Sequence, residues 1–135
     1  MSYTKPLPTP NKEDAPFWQA AREGKFVLPN CPDCGNIWFP PYLYCPRCLS
    51  PKRVFKEASG RAEVWGFIEM AQPYVKSFAP ELPYIVALVQ LEEGPIMFTN
   101  LVGIKNDEVK VGLKLQVCFD PVKDDFTLIK FKRRE

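Results

Sequence analysis

The sequence predicts a mainly β protein in which a short N-terminal helix and a cysteine-knuckle ribbon precede a small five-stranded barrel. Three observations carry that expectation. Two Cys-x-x-Cys turns, Cys31 to Cys34 and Cys45 to Cys48, are separated by ten residues. From Arg61 onward apolar and polar residues alternate with a period of two, the repeat of a strand rather than of a helix. Fifteen prolines, gathered at the N-terminus, around the knuckles and in the 73–83 region, favour short strands and shaped loops over long helices.

Residues 1–12 carry too little apolar surface to fold alone and read as an extended arm. Asp14 is expected to cap a helix that has Pro16 in its first turn and stops at Gly24. Phe17, Trp18, Ala20 and Ala21 give that helix one apolar face. Its two aromatic rings are large for so brief an element and need cover, from this chain or from a partner subunit.

Residues 25–28 and 53–56 read as strands that lead into and out of the ribbon, with an apolar hairpin at 37–41 between the knuckles. Each Cys-x-x-Cys turn brings two sulfurs within reach of one ion, so Cys31, Cys34, Cys45 and Cys48 complete a closed tetrahedral site. Pro32 and Pro46 fix the backbone after each first cysteine, and Gly35 can take the positive φ of a tight knuckle. Leu49 stands where the second knuckle would have its glycine, making that turn the less ideal one. Zinc is the expected ion. Iron accepts the same four thiolates, so a rubredoxin-type electron carrier is an alternative. Disulfides fit less well, because no signal peptide precedes the cysteines and Cys118 is left without a partner. The same lack of a leader gives a cytoplasmic expectation.

The arm and helix occupy residues 1–26, the ribbon 27–58 and the barrel 59–135, with the break at Ser59-Gly60. In the first barrel strand Ala62, Val64, Gly66, Ile68 and Met70 are expected on one face, with Arg61, Glu63, Trp65, Phe67 and Glu69 on the other. A long loop spans 72–83, followed by an apolar central strand at 84–91, a turn at Glu93-Gly94-Pro95 and a returning strand at 96–102. Strict alternation at 113–119 and a last strand at 126–131 bring the number to five, which fits a Greek-key barrel of the OB type.

Composition excludes several functions. The chain contains no histidine, which removes His-activated nucleophiles and mixed Cys/His catalytic zinc sites. Cys118 reads as a small apolar filler, and Glu63, Glu69 and Glu92 as solvated residues rather than an acid/base pair. No apolar run approaches the ~20 residues of a membrane span. A net charge of +2, from 18 basic and 16 acidic side chains, argues against nucleic acid as the partner. Single-stranded nucleic-acid binding by the barrel remains a competing function, since such barrels offer stacking aromatics.

Taken in order, these motifs resemble one family. They are Phe17-Trp18, Cys31-x-x-Cys34-Gly35, Phe39-Pro40-Pro41, Cys45-Pro46-x-Cys48, Ser59-Gly60-Arg61, Pro83-Tyr84, Glu93-Gly94-Pro95 and Thr99-Asn100-Leu101-Val102. The family is the rubredoxin-like zinc ribbon fused to a C-terminal OB-fold found in acyl-CoA-associated proteins. The resemblance covers residues from about 14 to 131. It implies a structural zinc and a non-catalytic subunit beside a thiolase-like enzyme, such as a thiolase, HMG-CoA synthase, aldolase or hydratase. In such assemblies the ribbon and helix dock on the enzyme, while the barrel helps hold the CoA portion of an acyl-CoA. On that expectation Trp65 and Phe67 wall a slot for the pantetheine arm, Phe78 and Tyr74 form a lid, and Lys130, Lys132 and Arg133 meet the phosphates.

Overall fold

The computed structural model of the chain describes residue 7 and residues 9–72, 76–123 and 126–134. Most of the expected arm, the loop residue Tyr74 and the side chain of Phe78 lie outside them. One helix, α1 (Ala15–Arg22), precedes a two-stranded ribbon of β1 (Val27–Asn30) and β2 (Val54–Glu57). The barrel follows as β3 (Arg61–Met70), β4 (Tyr84–Leu91), β5 (Ile96–Thr99), β6 (Leu101–Val102), β7 (Lys114–Lys123) and β8 (Phe126–Arg133). Among the described residues no helix is long and apolar enough to cross a membrane.

The helix begins where expected, but Asp14 does not cap it through its side chain. Its carboxylate accepts the N–H of Asn11 at 2.6 Å, and the Asn11 carboxamide accepts the N–H of Glu13 at 2.7 Å. The two side chains thus close a turn ahead of the helix instead of bonding into it. Gly24 takes φ +76° just past the last turn, the left-handed position a helix stop favours.

Phe17 is 3% exposed and belongs to the main core, so the cover it needs comes from this chain. Its ring meets Phe26 at 6.1 Å and Phe39 at 5.2 Å. Phe26 in turn meets Phe131 of β8 edge-on at 6.1 Å, and Trp18 lies on Phe126 at 4.9 Å. Helix, ribbon and barrel therefore share one continuous apolar core.

The barrel sheet runs in the order β5-β4-β3-β7-β8-β6. Its two ends, β5 and β6, are consecutive in the chain and separated only by Asn100. The returning strand expected over 96–102 is therefore interrupted. The Asn100 side chain donates to the Ile85 carbonyl at 2.8 Å, and its own carbonyl accepts the Phe131 N–H at 3.2 Å. At this residue the strand leaves β4 and joins β8 in parallel, bringing the two ends of the sheet together as in an OB-fold.

Two other expectations are corrected. The segment at 37–41 forms no hairpin of its own: Ile37 makes a single bridge to Asn30. In β3 the alternation does not continue unbroken. Val64 pairs with Val89 but Gly66 pairs with Leu88, so Trp65 is an additional residue, a β-bulge. The phase reverses beyond it. Phe67 stands opposite the buried Ala87, on the inner face, while Ile68 turns outward and is 60% exposed.

Gly60 opens the barrel at φ +78°, and its carbonyl accepts the Val117 N–H at 2.8 Å. A Cβ there would lie 2.4 Å from Val117 Cγ1 and 2.6 Å from Gln116 Nε2. Neither the backbone angle nor the stiff valine can relax cheaply. Gly60→Ala is expected to destabilise the fold by about 2–3 kcal/mol. An unchanged urea midpoint would contradict this account.

Candidate metal centre and barrel surface

The two knuckles are built alike. Gly35 N–H donates to the Cys31 carbonyl and Leu49 N–H to the Cys45 carbonyl, both at 2.8 Å. Gly35 adopts φ +76° and Leu49 adopts φ +63°. The second turn thus has the geometry of the first, held by a residue with a Cβ. A side-chain bond joins the knuckles: the Ser50 hydroxyl donates to Asp33 Oδ2 at 2.6 Å. Asp33 also faces the Lys52 ammonium at 3.9 Å. Neither Asp33 nor Ser50 stood out in the sequence, although each lies within two residues of a ligand.

The four sulfurs lie within 4.8 Å of one another. Cys31 Sγ is 3.5 Å from Cys48 Sγ, and Cys34 Sγ is 3.6 Å from Cys45 Sγ. Zinc held at about 2.3 Å from each sulfur sets tetrahedral edges of about 3.8 Å, so the donor set and its spacing fit the ion. Local N–H groups favour thiolate. Burial pushes the Cys45 thiol up, but the N–H groups of Cys48 and Arg47 outweigh it and hold it at about 6. The Ser50 N–H pulls Cys48 down, yet burial and the three neighbouring sulfurs prevail and raise it to about 12. Four adjacent thiolates repel one another unless a cation neutralises them, and a divalent ion supplies that charge. Trp38, 5% exposed, packs against Cys31 and Cys45 and closes one side of the site.

Arg53 ties the ribbon to the start of the helix. Its Nη1 donates to the carbonyls of Glu13 at 2.6 Å and Pro41 at 2.7 Å. Its guanidinium also stacks over Phe55 at 4.7 Å. Standing among Lys52, Lys56 and Glu57, Arg53 carried no sequence signal that set it apart as a clamp.

The other expected site residues are dispersed. Trp65 is 56% exposed on the outside of the bulge, whereas Phe67, itself 40% exposed, lies on the Ala87 side of the sheet, so the two rings do not share a face. Phe67 lines an open groove of about 690 Å³ with Glu69, Pro83, Ile85, Lys105, Asn106 and Asp107. Lys130 is ion-paired with Asp120 at 2.7 Å, and Arg133 faces Glu108 at 3.7 Å. Lys132 is exposed on β8. None of these three cations reaches the Phe67 groove. Cys118 is half-buried on β7, and burial pushes its thiol up, consistent with an inert filler. Glu63 is ion-paired with Lys114, Glu92 pairs with Arg61 at 2.7 Å, and Glu69 accepts from Asn106 at 3.0 Å.

Comparison with known proteins agrees with this architecture of zinc ribbon followed by OB barrel. Residues 18–52 match the rubredoxin-like zinc ribbon domain of ChsH2, and residues 55–120 match its C-terminal OB-fold domain. The chain belongs to this ChsH2/DUF35 family, and the four cysteines form its structural zinc site. A DUF35 domain-containing scaffold protein of Methanocaldococcus jannaschii is 31% identical over 97 residues, covering 70% of this chain and 67% of the relative. A probable enoyl-CoA hydratase alpha subunit of Thermomonospora curvata is 34% identical over 128 residues. That match takes in 95% of this chain but spans only 40% of the relative's length. A solved chain of the Ltp2-ChsH2(DUF35) aldolase superposes with a TM-score of 0.85 at 33% identity, covering 94% of this chain and 98% of that one.

Two outcomes are expected at the metal centre. Cys45→Ser should release zinc, measured by elemental analysis, and lower the thermal midpoint, because one ligand cannot be spared from a closed site. Leu49→Gly should stabilise the protein. It relieves about 1–2 kcal/mol of left-handed strain and gives back about 0.4–1 kcal/mol through the freer unfolded chain. Leu49 is 74% exposed, so little burial is lost. The net gain is about 1 kcal/mol, read as a higher urea midpoint at full zinc occupancy.

Proposed function

We propose that this chain is a non-catalytic accessory subunit of an acyl-CoA-processing enzyme and that it associates with a thiolase-like catalytic subunit. The observation that carries the reading is its likeness, over 94% of its length, to a chain of the Ltp2-ChsH2(DUF35) aldolase. Relatives named as scaffold proteins and as a hydratase alpha subunit support it.

The chain's own chemistry supports the same reading. A four-sulfur site has no open position for water or substrate. The sequence supplies no histidine, and Glu63, Glu69 and Glu92 are each engaged by a neighbouring side chain. The conditions for an activated nucleophile or an acid/base pair are not met among the described residues.

The Phe67 groove is our candidate for acyl-CoA contact. Phe67, Pro83 and Ile85 offer an apolar wall for the pantetheine arm, while Lys105 shares the groove with the carboxylates of Glu69 and Asp107, so the apolar wall carries the reading. Lys130 and Arg133 already face carboxylates, which makes the β8 cations a weaker platform for CoA phosphates or for nucleic acid.

Purification of the full chain from its native host should bring down a thiolase-like subunit. Adding the chain to that subunit should raise its acyl-CoA turnover or lower its KM, while the chain alone turns over no acyl-CoA ester. A chain that remains monomeric beside the enzyme, with identical kinetics in its presence and absence, would refute the reading.

A further inference from the structure

The two walls of the barrel are finished differently. Over β8 lies α1, with Trp18 on Phe126, and the other outward positions of β7 and β8 include Gln116, Asp120, Lys130 and Lys132. On the wall of β3, β4 and β5 the outward charges, Arg61 and Glu63, stand at the start of β3, and from Trp65 onward the outward set is mostly apolar among the described residues. Phe98 stands opposite Leu88, Leu88 opposite Gly66, and Val86 opposite Ile68. The alternation that buries Ala87, Val89 and Met97 turns this set outward. Phe98 is 71% exposed, Ile68 60% and Trp65 56%. The bulge at Trp65 adds Ile68 to this surface, because without the phase reversal Ile68 would point into the barrel.

We propose that the outer face of β3, β4 and β5, centred on Trp65, Ile68, Leu88 and Phe98, and not the helix and ribbon whose Phe17 and Trp38 are buried, is the surface on which the catalytic subunit docks, through an uncharged apolar patch of its own. This inference rests on the accessory-subunit reading. Charge supports the occupant's chemistry. The charges at the margin, Arg61 with Glu92 and Glu63 with Lys114, are paired with each other, so a charged partner patch would find no counter-ion and would be desolvated unpaired.

Area favours an enzyme subunit over a second copy of this chain. With aromatic side chains presenting ~150–250 Å² each, Trp65 and Phe98 leave on the order of 250 Å² uncovered, and their aliphatic neighbours extend the patch. That suits the apolar centre of a standard interface of about 800 Å² per partner, whose rim the surrounding loops supply. An obligate homodimer needs more, on the order of 2,000 Å² or above in total and apolar nearly throughout.

The test uses the full zinc-loaded chain and the thiolase-like subunit that copurifies with it. Phe98→Glu and Ile68→Glu should each weaken association at least 100-fold in a titration, with zinc content and thermal midpoint unchanged. Val54→Glu, also at an exposed apolar position (45%) but on the ribbon strand β2, should bind as the unaltered chain does. If the complex forms and both wall variants, folded and zinc-loaded, bind with unchanged affinity, the surface assignment fails while the accessory role stands. Should the unaltered chain form no complex with the enzyme, the accessory role fails and this assignment with it. Sedimentation of the chain alone as a dimer that either wall variant dissolves would assign the face to a second copy and overturn the proposal.

Discussion

Phe26 is the contact on which the rest of the structure depends. Only 2% exposed, it sits between Phe17 of the helix and Phe131 of the last barrel strand, at the entrance to the ribbon. Neither the helix nor the ribbon has enough interior to be stable by itself. A helix of eight residues is marginal in water, and a two-stranded ribbon is no better. The rings of Phe17, Phe26 and Phe131 let each part complete the interior of the next. The metal centre then fixes the far end of the ribbon, where Trp38 is the main large apolar side chain available to pack.

This arrangement changes how the aromatic inventory reads. Phe17 and Trp38 suggest partner-facing surface when met in a short helix and a small ribbon, yet both are spent on the interior. The bare aromatic groups of the barrel wall, Trp65 and Phe98, stand instead at outward positions of β3 and β5, and the phase reversal adds Ile68 to them. Which apolar side chains stand bare on the barrel is set by register more than by local composition.

Much of the fold was legible because its signals are local. Cysteine spacing, the knuckle prolines and the switch to a period of two each depend on a few neighbouring residues, and each matched the structure. The errors arose where a single residue redirects everything after it. The bulge at Trp65 moved Phe67 and Ile68 to opposite faces from those expected. Gly66 inside a strand was the available signal, since glycine there often marks a bulge. At Asn100 an ordinary polar residue transfers a strand from one neighbour to another, and only the long-range bond to Ile85 reveals why. The metal ligands were fully legible; the surroundings of the ligand candidates depended on register and were not.

The shared core also links metal supply to the lifetime of the protein. β1 runs directly into Cys31, and β2 begins a few residues beyond Cys48, so the ribbon strands are anchored at the knuckles. A chain starved of zinc loses that anchor, and loosening the ribbon bares Phe17, Phe26 and Phe131 together. Exposed aromatic surface of this kind is what chaperones and proteases act on. Zinc would then serve the cell as a checkpoint: chains that fail to acquire it are cleared before they can occupy a binding partner.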